Sequence, residues 1–155
     1  MTKVYVDIDG VLADFDGQPN ALERFMKEPN FFLHLKPLPF AAILNKQLGE
    51  DEQAREETYI LSASSNHMGD RAKREWLKIY LPNLKEENIV IVRGGPWEKA
   101  SREKARFAKG GNLLIDDYTH NLEIWEKNGG VGIKFLNGRN GKKRQWKGTI
   151  ISMGL

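Results

Sequence analysis

An α/β fold, with a mainly parallel sheet and helices on both of its faces, is predicted by three features of this 155-residue chain. Short β-branched or aliphatic runs alternate with segments of helical periodicity, the pattern of repeated βαβ units. Polar side chains stand directly after the ends of several of those runs, positions that share the carboxyl edge of an open parallel sheet. The composition, 40% hydrophobic and 29% charged, is that of a folded globular domain and argues against disorder. The length leaves room for one domain with a small insertion.

The elements follow in order. Residues 4–8 (VYVDI) read as a buried strand that ends in acids and Gly10. Residues 19–27 suggest a short helix, with Leu22, Phe25 and Met26 at helical spacing. The Pro- and Phe-rich stretch 29–39 (PNFFLHLKPLP) reads as a loop. Residues 40–48 are expected to be helical, with Gly49 as cap, and the acidic stretch 49–57 to be solvated. A second strand is expected at 58–61, followed by the small polar cluster 62–66. A helix at 70–80 carries Trp76, Leu77 and Tyr80 on one face and is ended by Pro82. Strands at 88–92, 113–115 and 131–135 are separated by helices at 99–109 and 120–127. The Gly-rich stretch 137–141 suggests a turn before a last short strand near 149–152.

Composition excludes several classes of function. No apolar run approaches the ~18 residues of a membrane span. The N-terminal MTKVYVDIDG carries acids where a signal peptide needs an apolar stretch, so a soluble, cytoplasmic protein is expected. Without cysteine there is no disulfide, no thiolate metal site and no cysteine nucleophile. His34, His67 and His120 are too widely spaced for a histidine-rich zinc site. Any metal should therefore be held by oxygen, and any nucleophile should be an oxygen. The net charge of +3 is concentrated late in the chain, above all in 139–147 (RNGKKRQWK), which permits anionic ligands without identifying one.

The candidate chemistry lies at the strand ends. Asp7 and Asp9 follow the first strand, Ser62 the second, Arg93 the third, and Asp116 and Asp117 the fourth. Two carboxylates two residues apart point in similar directions if strand geometry persists, and close carboxylates need a cation or a shared proton. Either Asp pair alone reads equally well as the end of a strand, but two pairs on one edge favour a site. Carboxylates without histidine or cysteine suit a hard cation such as Mg²⁺. Ser62 either donates to a phosphate oxygen or is an ordinary turn residue. Lys73 either reaches a bound phosphate as a point charge or is a surface cation like its neighbours Arg71 and Arg74.

Taken together these segments resemble a known family. VYVDIDGVLADF is similar to the first motif, DxDGVLxDF, of the haloacid dehalogenase (HAD) superfamily of aspartate-based phosphatases. It most resembles the branch of the 5′(3′)-deoxyribonucleotidases and their small bacterial and phage relatives. YILSASS resembles the second motif, KREWLKIYLP the lysine-bearing third, and LLIDDYTHN the fourth; PNFFLHLKPLP resembles a segment between the first two. The match runs from Lys3 to about Phe135. Tyr118 departs from it, standing where relatives often carry Arg, and the basic stretch 139–147 has no counterpart in it.

The resemblance implies a Rossmann-like HAD core formed by residues 1–15 and 58–155, with residues 16–57 inserted as a small helical cap. It implies that Asp7 is the nucleophile and forms an aspartyl-phosphate, and that Asp9 is the general acid and then the base. Mg²⁺ would be held by Asp7, the backbone carbonyl of Asp9, and Asp116. Ser62, Ala63 and Lys73 would bind phosphoryl oxygens, and Asp117 would support the metal or orient Lys73. Phe31, Phe32 and Phe25 either stack on a nucleobase or fill a small core beneath the insertion; Arg93 is a further candidate for substrate contact.

The implied activity is Mg²⁺-dependent hydrolysis of nucleoside monophosphates, deoxyribonucleotides first. Two alternatives stand beside it. One is another phosphomonoester, such as a sugar phosphate or a polynucleotide end, for which Trp146 among cations could serve nucleic-acid contact rather than anchor a solvated hairpin. The other is a nucleotide-binding protein without catalysis. Nothing in the residues marks a subunit interface.

Overall fold

The computed structural model describes residues 2–94, 97–139 and 145–153. Its centre is a six-stranded sheet of β1 (Val4–Val6), β2 (Thr58–Ser64), β3 (Ile89–Arg93), β4 (Leu113–Asp116), β5 (Val131–Leu136) and β6 (Ile150–Ser152), in the order β3-β2-β1-β4-β5-β6. Every neighbouring pair is parallel. Such a sheet must be covered on both faces, and the alternation along its central strands shows how. Val6, Ile60 and Ile115 point into one core, whereas Tyr5, Leu61 and Leu114 point into the other.

The first core is built by α1 (Ala21–Lys27), α2 (Pro39–Glu50) and α4 (His67–Tyr80), which bring Ala21, Phe40, Leu44, Leu48, Trp76 and Leu77 against the sheet. Trp76 is fully buried and donates its indole N–H to the carbonyl of Leu35 at 2.9 Å, so the polar end of the ring is satisfied. Phe31, Phe32, Leu35 and Leu38 join the same core, so the segment between β1 and β2 packs continuously onto the sheet. The second core lies under α6 (Thr119–Lys127), with Leu122 and Trp125, and beside α5 (Trp97–Ala105). Burying side chains of this size contributes about 1.5–3 kcal/mol each.

The expected order of strands and helices is the observed one, with informative differences. β1 stops at Val6 because the carbonyl of Ile8 accepts from Leu12 and Ala13 N–H, which coils the chain into a tight turn. β2 runs on to Ser64, paired with β3, so Ser62 lies inside a strand rather than after one. Gly49 sits within α2 and is not its cap; the helix continues to Glu50. The acidic stretch 49–57 contains α3 (Glu52–Glu57), capped where the side chain of Asp51 accepts from Ala54 N–H at 3.1 Å. None of its residues is buried, so no apolar periodicity announced it. The turn expected at 137–141 and the basic stretch 139–147 both extend outside the described residues, which omit 140–144. Trp146 is described: it is buried and donates to the carbonyl of Gly132 at 3.2 Å, so it anchors the chain against β5. No helix among the described residues is long and apolar enough to cross a membrane.

Candidate active site

Between β1 and β4 the strand order reverses. The chain leaves β1 towards β2 on one side and leaves β4 towards β5 on the other, which opens a crevice at the carboxyl ends of these two strands. Asp7 follows β1, and its N–H donates to Ile115 of β4 at 3.0 Å. Asp116 is the last residue of β4, with Asp117 next. All three carboxylates are buried.

Lys104, from α5, stands between them. Its Nζ is 3.1 Å from Asp7 Oδ1 and 3.1 Å from Asp116 Oδ2. Asp116 Oδ2 also accepts from Asn121 Nδ2 at 3.0 Å, and its Oδ1 from Tyr118 N–H at 2.9 Å; Ser101 donates to Asn121 Oδ1. Burial pushes the Asp7 carboxyl up to about 8; Lys104 opposes this, and the neighbouring charges of Asp116 and Asp9 reinforce it. Burial alone would pull Lys104 down, but Asp116 and Asp7 outweigh it and hold the ammonium above its ordinary range.

Asp9 faces a second lysine. Lys73 is completely buried, and its Nζ reaches Asp9 Oδ2 at 3.2 Å, Ser62 Oγ at 2.8 Å and the carbonyl of Ala63 at 2.7 Å. The ammonium also lies over the rings of Phe25 and Phe32, at 5.2 and 5.4 Å. This placement follows from α4. Asn66 caps the helix by accepting from Gly69 N–H at 2.8 Å, and Lys73 and Trp76 fall on its buried face at i and i+3. A side chain at Gly69 would collide with Ser64 and Phe25, so the glycine lets the helix approach β2 closely. Asp9 Oδ1 is buried and has no hydrogen-bond partner among the described residues.

A cleft of about 310 Å³ opens beside Asp9. Phe15, Leu22, Phe25 and Met26 form one wall, and Ala63, Ser64 and Gly94 face them. Phe31 and Phe32 do not reach it. They lie in the core, with Phe15 meeting Phe31 and Phe25 meeting Phe32 edge-on. Of the aromatic residues considered for base stacking, the structure therefore puts Phe25 at the cleft and Phe31 and Phe32 behind it. Arg93 ends β3 on the same edge but is ion-paired to Asp70 at 2.7 Å.

The structure thus brings together Asp7, Asp9, Ser62, Ala63, Lys73, Asp116 and Asp117. A divalent cation fits this donor set. Asp7, Asp116 and Asp117 each offer an oxygen, all within 4.8 Å of one another, and clustered carboxylate oxygens suit a hard divalent cation. The carboxylate of Asp9 turns to Lys73 instead. Lys104 was missed in the sequence, yet it had a signal: it repeats with Ala100, Ser101 and Ala105 along the small-residue stripe of its helix. A lysine on an inward stripe is a candidate buried cation. Lys134 was missed likewise. From β5 its Nζ donates to the carbonyl of Asp117 and to Thr119 Oγ1 at 2.9 Å, and burial holds its ammonium below the ordinary value.

Comparison with known proteins bears on this site. Over 81 residues, 52% of the chain, it is 32% identical to the 5′(3′)-deoxyribonucleotidase of Bacillus subtilis (strain 168) and equally to that of Bacillus phage SPbeta. These matches span 38% of the length of either relative. The family model described as 5′ nucleotidase, deoxy (Pyrimidine), cytosolic type C protein matches residues 17–147, most of the chain. With that match and the crevice carboxylates in hand, the chain belongs to the deoxy (pyrimidine) 5′ nucleotidase, cytosolic type C family.

Proposed function

We propose that this protein is a Mg²⁺-dependent phosphomonoesterase acting on nucleoside monophosphates, deoxyribonucleotides first, through an aspartyl-phosphate on Asp7. The observation that carries this reading is the constellation at the β1/β4 crevice: Asp7 and Asp116 joined by Lys104, with Asp9 and Ser62 joined by Lys73. Mg²⁺, held by Asp7 and Asp116 with Asp117 close by, would supply charge neutralisation to an anionic phosphate approached by a carboxylate.

The chain's own residues do the rest. Lys104, paired with Asp7, and Lys73, paired with Asp9, add positive charge near the nucleophile, which lowers the repulsion between Asp7 and the phosphate. A carboxylate oxygen of Asp7 attacks phosphorus, and the bond from phosphorus to the ester oxygen breaks. Asp9 gives a proton to the departing alkoxide. Water then attacks the aspartyl-phosphate, Asp9 takes a proton from it, and Asp7 is released with inorganic phosphate. Asp9 Oδ1, buried and unpartnered beside the cleft, suits this exchange. Residues 16–57 serve as the cap, because α1 supplies one wall of the cleft where the leaving group lies. That wall is apolar and aromatic, which favours a planar base over a sugar phosphate. Burial of Trp146 removes the one aromatic residue that linked the basic stretch to polynucleotides.

The test is phosphate release, with and without Mg²⁺, from 5′ and 3′ deoxy- and ribonucleotides, sugar phosphates and a 5′-phosphorylated oligonucleotide. Mg²⁺-dependent release from nucleoside monophosphates above the others is expected. Folded protein that hydrolyses none of the nucleotides overturns the reading.

A further inference from the structure

The segment after β5 reaches into the site at a point that no motif describes. Asn137 is fully buried, and its Nδ2 donates to the carbonyl of Gly10 at 2.9 Å and to Asp117 Oδ2 at 3.3 Å. Its Oδ1 accepts from Arg139 N–H at 2.8 Å, and its side chain also hydrogen-bonds Asp16. The orientation of the amide is fixed by these partners. Turned over, its oxygen would face a carbonyl and a carboxylate at once. Gly10 belongs to the tight turn between Asp9 and Ala13, and Asp117 to the loop after β4. One side chain thus spans the two segments that carry the acidic residues, from 127 positions away from Gly10 and 20 from Asp117.

Asn137 is not alone in this. Two residues on, Arg139 is ion-paired with Asp14 at 3.2 Å, and Asp14 accepts from Gly17 N–H where the chain enters the inserted segment. Three residues earlier, Lys134 holds the backbone of Asp117. Asp117 is therefore gripped at its carbonyl by Lys134 of β5 and at its carboxylate by Asn137, the residue after that strand.

We propose that Asn137 is a positioning residue that locks the Gly10 turn and the Asp117 carboxylate in mutual register, and so sets the divalent-cation affinity of the Asp7–Asp116–Asp117 cluster. This rests on the reading of that cluster as a Mg²⁺ site. The physical argument is preorganisation. A carboxylate whose orientation is fixed by an outer hydrogen bond loses little freedom when a cation binds, and loss of such a partner costs metal affinity about 10- to 100-fold. The Gly10 carbonyl also depends on the amide, since a buried carbonyl that loses its donor favours a shifted turn.

The test compares two buried asparagines. Asn88 is equally enclosed and donates its Nδ2 to the carbonyls of Thr58, Arg55 and Glu56, but at the amino edge of the sheet, away from the acidic cluster. Mg²⁺ affinity of the full chain is read by calorimetry and by displacement of Mn²⁺ followed by electron paramagnetic resonance, for wild type, Asn137→Leu and Asn88→Leu. Asn137→Ala, which removes the donors with a smaller change of bulk, serves in place of the leucine variant if that one does not fold. The expected result is a Mg²⁺ dissociation constant raised about 10- to 100-fold by the change at 137 and altered less than about twofold by the change at 88. Wild-type binding retained in the folded variant at 137, or weakened equally by both, overturns the role of Asn137 alone. Wild-type protein that binds neither cation overturns the metal site as well, and the two failures are thereby distinguished.

Discussion

Gly10 and Asp117 touch so closely that a side chain at position 10 has nowhere to go: a β-carbon there would run into the Asp117 carboxylate. The backbone at Gly10 also has φ +78°, in the left-handed region that favours glycine. Steric contact and conformation therefore require the same residue at the turn that follows the first pair of acids. Gly10→Ala is expected to cost about 1–3 kcal/mol of stability. It should also weaken Mg²⁺ binding, because the collision displaces Asp117. Thermal unfolding and calorimetric titration of Mg²⁺ check both; unchanged Mg²⁺ affinity would separate the turn from the site.

Lys104 offers a sharper test of how charge is balanced. Removing one partner of a buried ion pair leaves an uncompensated charge and costs about 3–5 kcal/mol. Lys104→Met should show a loss of this size in metal-free protein, since both Asp7 and Asp116 lose their shared cation. Mg²⁺ should then raise the melting temperature of the variant more than that of wild type. Adding Asp7→Asn should recover part of the loss in metal-free protein. Additive losses in the double variant would mean that Lys104 is not coupled to Asp7.

The parts of this site that were legible in the sequence are those set by strand ends. Asp7 and Asp116 could be placed on one edge because short aliphatic runs fix where strands stop, and parallel order fixes which ends coincide. The residues that were not legible come from elsewhere. Lys104 reaches in from a helix flank, Lys134 from the inner face of β5, and Asn137 from a turn far away in sequence. Each depends on tertiary contact rather than on a local pattern. The same limit applies to the aromatics. Phe31 and Phe32 look alike in sequence to Phe15 and Phe25, and only packing decides which pair is walled in behind the other. α3, with no buried residue, had no apolar stripe to betray it.

The raised Asp7 carboxyl makes stability depend on pH in a definite direction. A carboxyl that is pushed up to about 8 in the folded protein, far above the ordinary carboxylate range, binds its proton more tightly folded than unfolded. Its contribution is therefore fully present below the ordinary carboxylate range and is lost as pH rises towards 8. Asp16, also raised by burial, acts in the same direction. Metal-free protein should lose stability between pH 5 and 8 on this account, and the stabilisation gained from Mg²⁺ should grow over the same interval, because the cation favours ionised Asp7. Unfolding curves at several pH values, with Mg²⁺ and with chelator, measure this. Asp7→Asn should flatten the metal-free dependence; a slope unchanged by that substitution would move its origin to other groups.

Phe25 and Phe32 separate binding from packing. Phe25 lines the cleft beside Asp9 and is partly buried, whereas Phe32 is enclosed between Phe25 and Trp76, with ring centroids 6.0 Å from each. Phe32→Ala opens a void in the core and should cost about 3–5 kcal/mol of stability. Phe25→Ala removes cleft wall, so it should raise KM for nucleoside monophosphates by about 5- to 150-fold, the 1–3 kcal/mol expected for one base stacked on an aromatic ring. Its effect on a small artificial phosphate ester, which leaves the cleft empty, should be much weaker. Steady-state kinetics on both substrates, beside thermal unfolding of both variants, resolve the two roles. Equal rises in KM for the nucleotide and the small ester would return Phe25 to the core and remove the base from that wall of the cleft.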